Sequence, residues 1–432
     1  MPKTTRPDSA PALSPGAFRT RPAQFERAAP ATDKAESAAA WRALAARGEP
    51  SGQALLEALT AAGLGPDDPR LSATRAAFAN SGALDKDHFI LPGDEACLVR
   101  AALTGALAAS DFQAFRGRIT NLFHYASGVS AGKVASYIPE LAKADAEAFA
   151  LGCCTIDGQR FELGLREDDA KRRFCVQSVM KPMNYALALE LAGETTVHAH
   201  VGREPSGQGF NEITLNHKGR PHNPMINAGA ILTAALIRPG LPVDRRFALI
   251  NRLWRGAAAG DAPGFDEAVY ASETQHADRN HALAYFMREH GCFPPEADMH
   301  EALELYLRCC AIETDVRRLA CVAATLANGG VCPVTERQLI SRESVKAVLS
   351  LMLSCGMYDF SGEYAFTVGL PAKSGVSGAL MIVVPGVAGF ALYSPRLGPA
   401  GNSERGVEFS RRLVQAFPWH VYAPIVAEPA RG

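Results

Sequence analysis

The chain has 432 residues, of which 47% are hydrophobic and 21% charged, with a formal net charge of −1. Those proportions suit a globular protein of two or three domains, and a near-neutral balance gives no electrostatic reason to expect nucleic acid or an anionic membrane as a partner. No apolar run reaches the roughly 18 residues of a membrane span, and no signal-peptide core lies near the start.

Residues 1–36 are rich in Pro, Ala, Ser and Arg and poor in large apolar residues, the composition of a disordered tail. Arg19, Arg21 and Arg27 give it a faint likeness to a transit peptide, against which stand Asp8, Glu26 and the lack of an amphipathic stripe. A cytoplasmic location is therefore expected, with a mitochondrial one as the alternative. From 37 to 128 come short segments of helical period, among them "GQALLEALTAAGLG" and "DEACLVRAALTGAL", several closed by glycine. They predict a small all-helical domain. "DKDHF" at 85–89 opens like a calcium loop, but no glycine and closing glutamate follow at the required spacing, so no calcium is expected.

The texture changes near residue 148. "FALGCCTIDGQRFELG" places two apolar runs around Asp157–Gly158, a hairpin signal. Helical segments then dominate from 178 to about 355. "GLPAKSG", "GALMIVVPG" and "GFALYSP" read as three short strands, and 403–417 as a last amphipathic helix. The expected fold is α+β, an antiparallel sheet with a helical cluster over 129–420, the first and last helices on one face, and a short tail over 421–432. The ten cysteines contain no C-x-x-C and the eleven histidines no H-E-x-x-H, so reduced thiols, no metal and no cofactor are expected.

Candidate chemistry begins at "CVQSVMKPMNYALALE", 175–190, where Ser178 stands three residues ahead of Lys181. Pro182 fits only the first turn of the helix that follows, so the helix is expected to start near Ser178. Serine and lysine then share a face beside unpaired N–H groups, where a nucleophile and a desolvated lysine can work together. The bland alternative is a capping serine and a solvated lysine. The Gly-, Pro- and Asn-rich stretch 204–230 is long for a loop in a compact domain, and its Phe210, Ile213, Leu215 and Met225 argue for an ordered, functional one. Asn227 either caps the helix "NAGAILTAAL" or contacts a ligand. Glu273, Asp278, Arg279 and Asn280 in "SETQHADRN" read as a capped polar turn or as a receptor for a zwitterion. Tyr306 in "EALELYLRCC" reads first as a core tyrosine. Tyr358 lies just beyond a helix, and Lys373-Ser374-Gly375 on an edge strand could flank a serine site. With the distant S-x-x-K, that triplet resembles the serine hydrolases of the β-lactamase and penicillin-binding class.

Taken in order, "FCVQSVMKPMNYALALE", "GREPSGQGFN", "KGRPHNPMINAGAI", "DRN", "LANGGVCPVT", "CGMYDFSGEYAFTVGLPAKSGVSG" and "PRLGPAGNSERGVEF" resemble the serine-dependent glutaminase family, most closely its animal kidney-type and liver-type branch. The resemblance covers roughly 50–420. It implies a β-lactamase-like catalytic domain, an EF-hand-like helical domain before it, and no counterpart here of the ankyrin repeats of that branch. It implies hydrolysis of L-glutamine to L-glutamate and ammonia, with Ser178 as nucleophile, Lys181 as the lysine that takes its proton and Tyr358 near the scissile amide. Tyr137, Asn227, Glu273, Asn280 and Tyr306 match substrate-contacting positions, and Val376 contributes a backbone N–H. A homodimer or homotetramer is implied, with filaments as a further option. Glu212 stands where the branch carries a lysine, so phosphate is expected to be a weak activator, and Phe286 stands where it carries a tyrosine, so poor sensitivity to inhibitors of that branch's interface pocket is expected. The rival readings are a β-lactam-directed hydrolase, although no S-D-N-type motif is evident, and a non-catalytic scaffold.

Overall fold

The computed structural model describes residues 33–207 and 212–423. Residues 1–32, most of the predicted tail, lie outside that range, as do Phe210 and residues 424–432. The first helix starts already at Asp33, inside the stretch read as tail. Its register is set by distant partners: Glu36 pairs with Arg100, and the Ser37 hydroxyl accepts the Leu91 N–H. Helices between Asp33 and Thr104 enclose their own apolar core, which includes Leu44, Leu55, Leu59, Phe78, Val99 and Leu103.

Five strands form the main antiparallel sheet: β1 (Ala150–Thr155), β2 (Arg160–Gly164), β6 (Ala372–Ser374), β7 (Ala379–Val384) and β8 (Ala388–Tyr393), in the order β2-β1-β8-β7-β6. The period-2 alternation of side chains divides it between two cores. Leu151, Cys153, Leu380, Ile382, Phe390 and Leu392 face the Phe112–Ser127 and Glu404–Ala416 helices, where Phe123, Phe149 and Phe409 are buried. Cys154, Ala379, Met381, Val383 and Ala391 face the large helical cluster, led by the Val316–Ala327 helix. Both faces are covered, which explains why β7 reads as an unbroken apolar run. A second sheet, ordered β3-β5-β4 from β3 (Phe174–Cys175), β4 (Gly264–Phe265) and β5 (Ile312–Thr314), was not expected. Strands of two or three residues carry no readable period.

The hairpin turn at Asp157–Gly158 occurs as expected, and the N-terminal helical unit grips it. Arg70 donates to the carbonyls of Asp157 and Pro333 and pairs with Asp68, while Gln159 Nε2 donates to Ala62 and Ala109 carbonyls. All ten cysteines are unbridged and nine are buried. Among the described residues no helix is long and apolar enough to cross a membrane.

Candidate active site

Strand β3 leads directly into the serine. The Val176 N–H donates to the Ile312 carbonyl of β5, which extends the small sheet by one bond, and the chain then turns through a 3-10 segment, Gln177–Met180. The α-helix itself runs Lys181–Ala192, with Pro182 in its first turn. Ser178 therefore sits in the tight turn ahead of the helix rather than in its first turn. Gln177, at φ +48°, occupies the left-handed region that a residue with a side chain seldom adopts.

Burial makes the lysine unusual. Lys181 is 1% exposed, and desolvation holds its ammonium down to about 8. Its Nζ donates to Asn227 Oδ1 at 2.6 Å, and Asn227 Nδ2 donates to Asn280 Oδ1 at 3.1 Å. Asn227 opens the Asn227–Leu236 helix without acting as its cap; the N-cap position belongs to Ile226 and makes no side-chain bond. The capping reading of Asn227 is therefore excluded, and its amide points to Lys181 and Asn280 instead. The Tyr306 ring lies 6.0 Å from Lys181 Nζ, deep in the same wall.

A second group gathers on Glu273, which is buried in the Glu267–Gln275 helix rather than in a turn. Tyr137 OH donates to Glu273 Oε1 at 2.6 Å, and Gln177 Nε2 to the same oxygen at 2.9 Å. Burial pushes the Glu273 carboxyl above its ordinary value even so. Among the described residues it makes no ion pair. Tyr137 is 49% exposed as a residue, yet its hydroxyl turns inward. Asp278 and Arg279 stay on the surface while Asn280, in the first turn of the Asp278–Glu289 helix, joins Asn227.

The third wall comes from the far end of the chain. Tyr358 is held at φ +55°, its hydroxyl within hydrogen-bonding reach of Ser178, and burial pushes its phenol well up. Lys373 on edge strand β6 is fully buried, lies 4.4 Å from the Tyr358 ring centroid and donates to the Ser374 carbonyl. Burial and the neighbouring Lys181 hold its ammonium well below the usual lysine range. Gly375 must be glycine. A Cβ there would stand 2.8 Å from the Val176 carbonyl oxygen, so β6 could not approach the Ser178 turn. Val376 follows, half-buried, against the small apolar cluster that includes Cys175 and Val269.

The structure brings together Tyr137, Ser178, Lys181, Asn227, Glu273, Asn280, Tyr306, Tyr358 and Val376. Two further residues went unassigned in the sequence. Gln177 bridges Tyr137 and Glu273, for which adjacency to Ser178 is the only signal. Lys373 was singled out in its triplet, but no role could be given it before its ammonium was found over Tyr358. Among the described residues no cluster of His, Cys, Asp or Glu could hold a metal.

A buried serine and a desolvated lysine near a buried tyrosine, flanked by a carboxylate and paired amides, are the groups an acyl-transfer site needs. Residues 132–422 match the family described as Glutaminase, and the chain belongs to that family. It is 42% identical over 373 residues to "Glutaminase liver isoform, mitochondrial" of Rattus norvegicus, covering 84% of this chain and 61% of that one. To the glutaminase of Trichormus variabilis it is 41% identical, covering 72% of this chain and 91% of that one. The chain spans 61–65% of the length of the animal relatives it matches. Among solved structures, probable glutaminase ybaS superposes with a TM-score of 0.66 at 34% identity, covering 71% of this chain and 98% of that one. Mglu in its native form does so with a TM-score of 0.65 at 37% identity, covering 70% and 71%.

Proposed function

We propose that this chain hydrolyses the side-chain amide of L-glutamine to L-glutamate and ammonia through a γ-glutamyl ester on Ser178. The observation that carries it is the presence, in one site, of a buried carboxylate without an ion-pair partner among the described residues, Glu273, and of the Asn227–Asn280 amides that engage Lys181. Ser178 Oγ attacks the γ-carbonyl as Lys181, with its neutral form made accessible by burial, accepts the proton. The N–H groups of Ser178 and Val376 hold the oxyanion. Tyr358 hands a proton to the departing nitrogen, ammonia leaves, and water cleaves the ester by the reverse proton path. Glu273, steadied by the Tyr137 hydroxyl, answers the α-ammonium; Asn227 and Asn280 hold the α-carboxylate, and Tyr306 lines the pocket. No cofactor enters this scheme. The test is a coupled glutamate assay of the purified chain with L-glutamine, L-asparagine and D-glutamine, alongside nitrocefin. Turnover of L-glutamine alone is expected; turnover of nitrocefin without glutamine, or of neither, would replace the reading with a β-lactam hydrolase or a scaffold.

The finer architecture belongs to the same proposal. The helices up to Thr104 form an EF-hand-like unit without calcium. The Phe112–Ser127 helix, counted with them in the 37–128 reading, packs instead on the sheet of a β-lactamase-like catalytic domain that runs to 420. The chain assembles as a homodimer or homotetramer able to extend into filaments in the cytoplasm. Phosphate activates it weakly. Burial, and secondarily the nearby Glu212, raises the Asp359 carboxyl, and two neighbouring carboxylates repel an anion that a lysine would attract. Measured at constant ionic strength, kcat of the wild type is expected to change little with phosphate and that of Glu212→Lys to rise. Strong activation of the wild type, unaltered by the substitution, would discard this account.

A further inference from the structure

We propose that the cleft between the Lys181–Ala192 helix, the Val243–Ala257 helix and the 331–340 loop binds a small monocarboxylate with an apolar body, at a place distinct from the serine site. The cleft holds about 420 Å³, within the roughly 300–1,000 Å³ typical of small-molecule sites. Leu249, Leu253 and Gly256 present one face of their helix to it, at the i, i+4, i+7 spacing. Leu187 and Glu190 face them from the other helix, and Thr335, Arg337, Leu339 and Ile340 close the end. Its floor is therefore aliphatic. Gly256 keeps it open, since a Cβ there would stand 2.9 Å from Leu339 Cδ2 and displace that side chain.

The rim is cationic. Arg252, Arg255 and Arg337 are exposed at the mouth, and the guanidinium of Arg255 is oriented by its Nε bond to the Gly260 carbonyl at 3.0 Å. Glu190, the one acid lining the cleft, is occupied: its Oε1 accepts the Ser341 N–H at 3.0 Å and the Ser341 hydroxyl at 2.6 Å. Three guanidinium groups against one engaged carboxylate favour an anion, and the planar fork of arginine matches a carboxylate. Thr335 lines the same cleft, and its Oγ1 is buried without a hydrogen-bond partner. Unpaired buried hydroxyls are uncommon in folded proteins, and once rotated toward the cleft this one can donate to a carboxylate head group. The apolar floor then takes the ligand's body, which a purely inorganic anion would leave empty.

The probe is decanoate, with decanol and acetate as controls lacking the charge and the chain respectively. Isothermal titration of the full chain is expected to show saturable one-to-one binding of decanoate, with decanol and acetate at least about tenfold weaker. Arg252→Glu combined with Arg255→Glu changes only exposed side chains and is expected to weaken decanoate at least about tenfold. Gly256→Leu, which crowds the floor, is expected to abolish it; circular dichroism of that variant shows whether it has folded, and if it has not, the arginine variant decides. Absence of saturable binding, equal affinity for decanol, or unchanged affinity in the double arginine variant would overturn the proposal.

Discussion

Ser178→Ala and Lys181→Ala are each expected to remove nearly all glutaminase activity while leaving the fold intact. Nucleophile and base act as one unit, so losing either costs about as much as losing both. Neither substitution removes a strut: the serine sits in a turn of its own, and the lysine contributes one side-chain bond, to Asn227. The pH dependence supplies an independent check. Lys181 is pushed down to about 8 by burial, and only its neutral form accepts the serine proton. Below pH 8 the group is increasingly protonated, so kcat/KM for glutamine should fall about tenfold per unit on the acid side and level off above it. Lys181→Arg should not rescue, because a guanidinium stays protonated. If Lys181→Ala kept more than about a tenth of the wild-type kcat, the base would have to be another group, since general-base catalysis contributes ~100-fold or more. Lys373 would be the first to test, being the other buried lysine of that wall.

Blocking the α-amino group of the substrate should be nearly as damaging as removing the nucleophile. Both donors to Glu273, the Tyr137 hydroxyl and the Gln177 amide, reach the same oxygen, Oε1, and so leave Oε2 for an incoming ammonium. The carboxyl is buried and raised, which means that desolvation outweighs the help of those two bonds. A bound ammonium is the missing compensation. N-acetyl-glutamine cannot supply it, and a site built for a polar partner rejects an analogue lacking that partner by on the order of 10⁴-fold in kcat/KM. Glu273→Gln should lower kcat/KM for glutamine itself by about 100-fold or more and narrow the gap between the two substrates, as the variant no longer holds a charge that demands an answer. Comparable kcat/KM for glutamine and N-acetyl-glutamine in the wild type would refute the ammonium receptor.

What the sequence determined by itself is what short-range physics controls. The hairpin at Asp157–Gly158 follows from turn chemistry that two residues carry alone. The start of the helix at Lys181, three residues after Ser178, follows from Pro182, which fits only the first turn. The strands β7 and β8 were legible because Gly and Pro punctuate six-residue apolar runs. The tertiary structure decided the rest, because the deciding contacts join residues far apart in the chain. Asn227 could have been a cap until its amide was found on Lys181, 46 positions away. Glu273 reads as part of a polar turn, and only the tertiary structure buries it against Tyr137 and Gln177, 136 and 96 positions away. The three-stranded sheet that delivers Ser178 has strands too short to hold a period, and exists because β5 lies where both β3 and β4 can pair with it. The conformation of Gln177 at φ +48° has no local signature at all. A left-handed glutamine is held there by its two long-range hydrogen-bond partners and by the close passage of Gly375, neither of which is written within its own neighbourhood of the chain.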